Sequence, residues 1–293
     1  MIYSVNFTDE SFQKQRECNT KTAYSKGKVD KVFEFSPSDI EDSFLKENKS
    51  IFSYERGHGL WIWKPYFILK VLNEINEGDY LLYSDAGTYF VNKVKYLVDC
   101  MEKNKQSILG FELPLLERQF TKKETFSLMG YSEFENNQIL ASYIMLKKDS
   151  YSLKFISEWL EFMTDERISS PNKFCKNIPE FEDHISHRED QSVFSILYHK
   201  KGLKPFRDPS QKGDRPFEYM WIPSFSDKWV EWAYNPNSFP NSKYPRILVI
   251  NRKSEPSKFK KKEFVLNIIN KIGLYNEKLY KELFYKRGYN PPL

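Results

Sequence analysis

The sequence has few cysteines and no long apolar run, and both shortages narrow the class of protein. Cys18, Cys100 and Cys175 are the three cysteines among 293 residues. Their wide spacing fits neither a disulfide framework nor a zinc site, so we expect a reducing environment. No stretch approaches the roughly 20 apolar residues that a membrane-spanning helix needs. Residues 1–8 also lack the pattern of a secretory signal, so we expect a cytoplasmic protein.

The fingerprints of several enzyme classes are missing as well. The sequence contains no Gly-x-Gly-x-x-Gly and no Gly-Lys-Ser or Gly-Lys-Thr loop, which disfavours dinucleotide oxidoreductases and P-loop enzymes. It contains no Gly-x-Ser-x-Gly, which disfavours an α/β-hydrolase. The four histidines show no metal-ligand spacing. What the chain does have is 24 Phe, 19 Tyr and 6 Trp, which are enough to build a core and exclude a disordered protein.

Strand-like and helix-like segments alternate along the chain. Strands are predicted at residues 2–7, 31–35, 79–84, 107–111, 139–146 and 246–250. Helices are predicted at residues 10–25, 38–49, 65–75, 91–103, 122–129, 150–164, 190–198 and 264–284. Strands separated by helices favour an α/β fold with a mostly parallel central sheet flanked by helices. We predict one compact domain over residues 1–240, with a basic, aromatic and partly helical extension over residues 241–293 packed on it.

Positive charge is concentrated in that extension. Residues 241–293 carry 13 lysines and arginines against 4 glutamates, a net charge of +9, whereas the whole chain carries only +5. Aromatic residues from Phe259 to Tyr289 are interleaved with the lysines. This combination is typical of a segment that lies on an anionic membrane surface. A solvated helix packed on the domain is the alternative; single-stranded nucleic acid would suit the same residues, but we expect no nucleic-acid partner.

One segment points to a ligand site at the end of a buried strand. The apolar run at residues 79–84 leads directly into Asp85, Ala86 and Gly87. Open α/β sheets bind ligands at the carboxyl ends of their strands. An aspartate placed there would bind a divalent cation or accept hydrogen bonds from a sugar, whereas the plain structural alternative is a strand-ending turn.

Two other segments carry groups that suit a phosphorylated or sugar ligand. Residues 56–65 combine two glycines with Trp61, Trp63 and Lys64, the last at a predicted helix start, where phosphate binds well. Residues 187–192 place a carboxylate and an amide, Asp190 and Gln191, at the start of another helix. A pair of core tryptophans and a helix cap are the structural alternatives.

Weaker candidates follow the strand at residues 107–111. Glu112 and Glu117 lie where a catalytic base would be expected, and Asn137 and Gln138 precede the next strand. Proton abstraction from an acceptor hydroxyl needs a carboxylate near that hydroxyl. Asp190, Glu112 and Glu117 are therefore the predicted catalytic carboxylates.

Three segments together resemble a group of bacterial glycosyltransferases associated with capsule and lipopolysaccharide O-antigen clusters. They are Gly-Leu-Trp-Ile-Trp-Lys-Pro at 59–65, Gly-Asp-Tyr-Leu-Leu-Tyr-Ser-Asp-Ala-Gly at 78–87 and His-Arg-Glu-Asp-Gln-Ser at 187–192. Their order and spacing match, and the resemblance spans about residues 21–197. It implies a GT-A fold and transfer of a sugar from a nucleotide-sugar donor to a saccharide acceptor, commonly a lipid-linked one at the cytoplasmic membrane face.

The resemblance places Asp85 at the Asp-x-Asp metal and donor motif of GT-A enzymes. Ala86 and Gly87 follow, so the second aspartate of that motif is missing. Two ways of neutralising the donor diphosphate stay open, namely Mn²⁺ or Mg²⁺ bound at Asp85, or a cationic side chain such as Lys64. The residues predicted to bind the donor are Asp85, Ala86, Gly87, Trp63, Lys64, His187 and Gln191.

Other functions compete with this interpretation. A sugar nucleotidyltransferase would show a glycine-rich basic loop near its N-terminus, and residues 1–25 contain no glycine. A non-catalytic carbohydrate-binding protein would use Trp61 and Trp63 as stacking surfaces. The sequence also leaves open whether sugar transfer inverts or retains the configuration at the anomeric carbon.

Overall fold

The computed structural model describes residues 1–219, 239–251 and 255–284. The strands are β1 (Ile2–Phe7), β2 (Lys31–Phe35), β3 (Tyr80–Ser84), β4 (Thr88–Phe90), β5 (Ile108–Leu116), β6 (Asn137–Lys147) and β7 (Leu248–Ile250). Five of them form a sheet in the order β2-β1-β3-β6-β5, and β4 pairs with β7 in a second, two-stranded sheet.

The large sheet is mixed but mostly parallel, as predicted. β1 pairs in parallel with β2 on one side and with β3 on the other. β6 is antiparallel to both β3 and β5, so four strands share one direction and only β6 opposes them. Because β1 and β3 are parallel neighbours, their carboxyl ends meet at the same edge of the sheet.

Helices cover both faces of this sheet. They are α1 (Gln13–Thr22), α2 (Asp42–Glu47), α3 (Lys49–Phe52), α5 (Trp63–Glu74), α6 (Lys95–Asn104), α7 (Glu117–Phe120), α8 (Lys123–Leu128), α9 (Ser150–Thr164), α10 (Glu166–Ser169), α11 (Glu189–Lys200), α12 (Gln211–Asp214), α13 (Pro256–Lys271) and α14 (Glu277–Phe284). A short turn, α4 (Gly57–Leu60), precedes α5, and α1 continues into a π-helical turn over Ala23–Gly27. Short 3₁₀ turns cover Glu10–Phe12, Pro37–Asp39 and Pro216–Tyr219.

The apolar core lies on both sides of the central strand β3. Leu81 and Tyr83 belong to one buried cluster, with α5, α9 and α11, whereas Leu82 between them belongs to a second cluster that includes α6. Alternate residues of a strand point to opposite faces. A strand covered on both faces is continuously apolar, which is why the run at residues 79–84 identified β3 correctly.

The second half of the chain departs in places from the predicted elements. The helix predicted at 264–284 is two helices, α13 and α14, separated by a turn in which Gly273 adopts a φ of 75°. β4 was not predicted, and its partner β7 lies beyond residue 240, where the sequence suggested that the domain ends. That boundary stays a prediction. In the described residues, no helix combines the length and apolarity needed to cross a membrane.

Candidate active site

A cleft of about 730 Å³ opens at the edge of the sheet where β1 and β3 end. Its lining includes Phe7 at the end of β1 and Asp9 just after it, the turn from Asp85 to Gly87 after β3, and the first residues of α11. Open α/β sheets bind ligands at this edge. The three segments that the sequence singled out, around residues 56–65, 83–87 and 187–192, therefore converge on one cleft.

The turn after β3 is fixed from behind by a buried asparagine of α1. The Asn19 amide donates to the Ser84 hydroxyl at 3.0 Å and to the Thr88 carbonyl at 3.1 Å. The Asp85 backbone N–H donates to the Ser142 carbonyl at 2.8 Å, and the Thr88 N–H donates to the Asp85 carbonyl at 3.0 Å. These bonds hold the Asp85 side chain at the cleft wall.

Two aspartates face one lysine at the base of the cleft. Lys64 Nζ donates a hydrogen bond to Asp190 Oδ2 and lies 3.7 Å from Asp85 Oδ1. The Tyr83 hydroxyl donates to the same Asp85 oxygen at 2.6 Å. Lys64 is only 3% exposed and Asp190 6%. Burial raises the pKa of Asp190, and the ammonium of Lys64 opposes that rise.

A left-handed turn forms part of the cleft wall. Residues 57–61 all have positive φ, including the non-glycine residues His58 (49°), Leu60 (55°) and Trp61 (61°). Consecutive residues in this region are strained, and such strain tends to be kept at functional sites. Arg56, just before the turn, donates from Nε to Glu189 Oε1 at 2.7 Å, and burial raises the pKa of Glu189 to about 7.

Trp63 contributes packing to the cleft wall. Its indole N–H donates to the Gly57 carbonyl at 2.7 Å, and its ring stacks on Phe7 with ring centroids 3.9 Å apart. Trp63 is 6% exposed. One face of the ring is therefore covered by protein, and Trp63 fixes the left-handed turn against β1.

The amide of Gln191 is oriented by a buried neighbour. Gln138 Nε2 donates to the Phe120 carbonyl at 3.1 Å and to the Thr121 hydroxyl at 3.2 Å. Gln138 Oε1 can then only accept, and it accepts from Gln191 Nε2 at 2.6 Å. This bond fixes the orientation of the Gln191 amide, and Gln191 is one of the residues that line the cleft.

Three predicted site residues lie away from the cleft lining. His187 is buried behind it, where its Nδ1 accepts from the Lys122 backbone N–H at 3.3 Å and burial lowers its pKa to about 3, so it is neutral at pH 7. Glu117 is fully buried, which raises its pKa well above the usual value, and it accepts from the Thr121 hydroxyl at 3.3 Å.

Glu112 lies beside Asn137, whose amide donates to it at 2.8 Å. Its neighbours in β5, Leu113 and Leu115, line the cleft instead.

Replacing Glu112 with Gln is expected to stabilise the protein above pH 7. Burial raises the pKa of Glu112 to about 7, so ionisation of this carboxylate destabilises the folded state as the pH rises from about 4.5 through 7. Glu112→Gln removes that loss. We expect about 1–3 kcal/mol of added stability at pH 8 and little change at pH 4, measured by urea unfolding at both pH values. An equal effect at the two pH values would contradict the assignment.

Several lining residues were not singled out from the sequence. Lys212, at the start of α12, and Ile250, at the end of β7, both reach the cleft. Lys212 is held there by a tight turn, since a Cβ on Gly213 would lie 1.9 Å from the Asp208 carbonyl oxygen. The Gln-Lys-Gly run was the available signal, but it lies in a proline- and aromatic-rich stretch without clear periodicity.

The carboxylates that would coordinate a divalent cation in the cleft already face a positively charged side chain. Mg²⁺ is usually held by one or two carboxylates together with substrate phosphates, and Asp85 and Asp190 would be those carboxylates here. The Lys64 ammonium already stands against both. Across residues 1–219, 239–251 and 255–284, no group of three or more His, Cys, Asp or Glu side chains is arranged to hold a metal ion.

The chain has the fold of GT-A glycosyltransferases, as the resemblance implied. It is similar to mouse xyloside xylosyltransferase 1 in its apo form, with a TM-score of 0.50, 9% identity, and coverage of 87% of this chain and 98% of that one. It is also similar to the galactosyltransferase LgtC in complex with donor and acceptor sugar analogues (TM-score 0.46, 14% identity, coverage 85% and 86%). A third similar structure is a glycosyltransferase involved in glycosylation of the major capsid of PBCV-1 (TM-score 0.41, 10% identity, coverage 89% and 98%). No family model and no curated protein matches the sequence.

Proposed function

We propose that the protein is a glycosyltransferase that moves a sugar from a nucleotide-sugar donor to a saccharide acceptor. The observation that carries the proposal is the convergence of Asp85, Lys64, Asp190 and Gln191 in one cleft at the carboxyl ends of β1 and β3. Polar groups of this kind, few in number and placed on rigid elements, fix the orientation of a bound small molecule.

Sugar transfer requires positive charge near the leaving diphosphate and a group that takes the acceptor proton. The bond from the anomeric carbon to the diphosphate oxygen breaks, and its electron pair stays on that oxygen, so negative charge develops on the diphosphate. Lys64, with Arg188 and Lys212 also in the lining, supplies positive charge for it. A new bond forms from the anomeric carbon to the acceptor oxygen, and the acceptor proton leaves for a cleft carboxylate or for the departing diphosphate.

Each side chain has a distinct part in this scheme. Asp85, Ala86 and Gly87 form the donor-facing turn, and the Gln191 carbonyl oxygen accepts from a donor hydroxyl. Of the predicted catalytic carboxylates, Asp190 is the one among the cleft-lining residues, and we assign it to the reaction. In this scheme Glu112, Glu117 and His187 do not contact the substrate.

Donor binding tests the proposal directly. Ligands that bind the folded state raise its melting temperature. We expect one family of nucleoside diphosphates and their sugars to raise it in a panel of nucleotides, with release of free nucleoside diphosphate when a saccharide acceptor is added. A shift with free glycans but with no nucleotide would instead indicate a carbohydrate-binding protein.

We further propose a place for the reaction, the surface of an anionic membrane, where lipid-linked acceptors of capsule or O-antigen synthesis are found. The support is an exposed apolar patch along α13 and the turn after it. Its members are Phe264, Val265, Ile268, Ile272 and Leu274, which are 45–67% exposed. Phe264, Ile268 and Ile272 follow at four-residue spacing and share one stripe. Exposed lysines surround the stripe at 258, 260, 261, 262 and 271.

The opposite side of α13 is clamped to the body. Glu263 accepts from both Arg215 terminal nitrogens, at 2.8 and 2.9 Å, and from Arg246 Nη1 at 2.6 Å. Arg215 is 1% exposed and Glu263 is 5% exposed. This buried network fixes which face of α13 is turned outward, so the apolar patch and its lysines would meet a membrane together with the body of the protein.

The double substitution Phe264→Ser and Ile268→Ser should weaken binding to anionic vesicles at least about tenfold. The two side chains would insert between lipids, while each lysine near the surface adds about 1 kcal/mol. Sedimentation with phosphatidylglycerol vesicles measures the binding, phosphatidylcholine vesicles show the contribution of charge, and Tyr151→Ser serves as an exposed control. The double variant should keep its rate of transfer to a short water-soluble acceptor, because both side chains lie outside the cleft lining. Unchanged vesicle binding by the double variant would remove the membrane role.

A further inference from the structure

We infer that Lys64 is the built-in cation of the donor site, so that the diphosphate is bound and released without a divalent metal ion. The inference rests on the proposed function. It concerns the same cleft but a separate property, the source of the positive charge that meets the donor.

Lys64 lies between the two carboxylates at the base of the cleft. Its side chain enters from the first turn of α5, beneath the left-handed turn, and its ammonium reaches the gap between Asp85 at the end of β3 and Asp190 at the start of α11. These two carboxylates come from separate elements, and Lys64 is what joins them. A cation bound by Asp85 and Asp190 would stand where this ammonium already stands.

The Lys64 ammonium has more hydrogen-bond donors than its protein partners use. An ammonium carries three N–H donors. Asp190 takes one, and Asp85 at 3.7 Å lies beyond ordinary hydrogen-bond distance. Lys64 therefore keeps capacity for an oxygen that enters from the cleft, as a diphosphate oxygen would.

A divalent cation between the two aspartates would be repelled by the positive charge of Lys64. A divalent cation that used both carboxylates would come within a few ångströms of Lys64, which is 3% exposed and has almost no water to screen the repulsion. Lys64 is also enclosed by Trp63 and Tyr83, whose ring centroids lie 5.9 and 5.3 Å from its nitrogen. Both aromatic faces favour a cation at that point, so a metal ion would have to displace a well-held group.

The sequence departs from the two-aspartate motif in the same direction. Ala86 and Gly87 follow Asp85, so this turn supplies one carboxylate where that motif supplies two. Compared with the two-aspartate motif, this site lacks one metal-binding carboxylate and contains a lysine. The positive charge beside the donor then belongs to a side chain and not to a metal ion.

The test measures metal binding and donor binding separately. Wild-type protein, treated with EDTA and then with Mn²⁺, should show no change in melting temperature and should leave the electron paramagnetic resonance signal of free Mn²⁺ intact. Nucleoside diphosphate should raise the melting temperature equally in EDTA and in Mn²⁺. A donor-induced shift that disappears in EDTA and returns with Mn²⁺ would overturn the inference, and so would Mn²⁺ binding to the wild-type protein alone.

Substitution of Lys64 gives the converse experiment. Lys64→Ala leaves Asp85 and Asp190 facing each other without a cation, so this variant should gain binding of Mn²⁺, seen as a raised melting temperature and a reduced free-Mn²⁺ signal. Lys64→Arg should keep nucleotide binding in EDTA within about tenfold, whereas Lys64→Met should lose it.

Lys122→Met is the matched control. Lys122 is also a buried lysine, with its Nζ 3.7 Å from Glu124, but it is not in the cleft lining. We expect this control to gain no Mn²⁺ binding and to keep nucleotide binding. If no nucleotide binds to any variant in any buffer, the proposed function fails, while the Mn²⁺ measurements on the wild-type and Lys64→Ala proteins still decide whether Lys64 occupies the cation position.

Discussion

Replacing Asp85 with Asn should lower the rate of sugar transfer at least about 100-fold and leave the fold intact. The Asp85 carboxylate lies at the cleft surface, 23% exposed, with one oxygen held by the Tyr83 hydroxyl and facing Lys64. Asn keeps the shape and one acceptor oxygen but removes the charge. It would both weaken the hold on donor hydroxyls and free Lys64 to move towards Asp190. Losses of this order are typical when one preorganised polar group of an active site is removed.

The measurement pairs steady-state transfer with thermal unfolding. The backbone turn around Asp85 is held by Asn19, Ser142 and Thr88, none of which depends on the carboxylate, so the melting temperature should stay within a few degrees. Asp183→Asn is a suitable control, because Asp183 pairs with Arg118 outside the cleft lining. Transfer at the wild-type rate by the Asp85→Asn variant would remove Asp85 from the site.

Helices and strands could be predicted from the sequence wherever a local pattern of residues determines them. β3 is apolar because both of its faces are covered, and the helix at 150–164 begins at an Asp149 cap and ends where predicted. β4 was not readable. It is three residues long and exists because β7, about 160 residues later, pairs with it. Pairing between distant short strands leaves no periodic signal in either of them.

Part of the lining of the candidate cleft could also be predicted from local patterns in the sequence. Asp85, Lys64 and Gln191 each lie in a segment whose composition points to a ligand, and the structure places all three at one cleft. That Lys64 pairs with Asp190 across 126 residues, or that Gln138 orients Gln191, depends on packing that no local spacing encodes. The position of Glu112 relative to the cleft could not be predicted from its place in the sequence. A carboxylate after a strand looks catalytic in sequence, but the alternation of side chains in β5 gives the cleft Leu113 and Leu115 instead.

The left-handed turn at residues 57–61 is a second case of tertiary context overriding local preference. Gly57 and Gly59 tolerate positive φ, but His58, Leu60 and Trp61 adopt it at a cost. The surroundings hold them there, since Trp63 bonds to the Gly57 carbonyl and the Gly59 N–H bonds to the Tyr54 carbonyl at 2.9 Å. The packing that offsets this cost also positions Arg56 and Lys64 in the cleft lining.

Removing Asp190 should damage both stability and activity, and a second substitution separates the two. Asp190→Ala leaves the Lys64 ammonium buried without its nearest counter-ion, and breaking a buried pair in this way typically costs about 3–5 kcal/mol. For a domain of this size, that lowers the melting temperature by roughly 6 °C or more. Asp190→Ala should also abolish detectable transfer, because Lys64 loses the group that fixes it at the donor site.

The double variant Lys64→Met, Asp190→Ala removes both charges together. Replacing a buried ion pair with apolar side chains is often neutral for stability, so the double variant should recover most of the lost melting temperature while transfer stays at background. If transfer recovers along with stability, Asp190 acts only by capping and filling the start of α11. If the single variant melts like the wild type, the pair between Lys64 and Asp190 is not the anchor of the site. Stability restored without activity would show that the two charges are kept for the reaction, at a position where the fold alone would accept apolar residues.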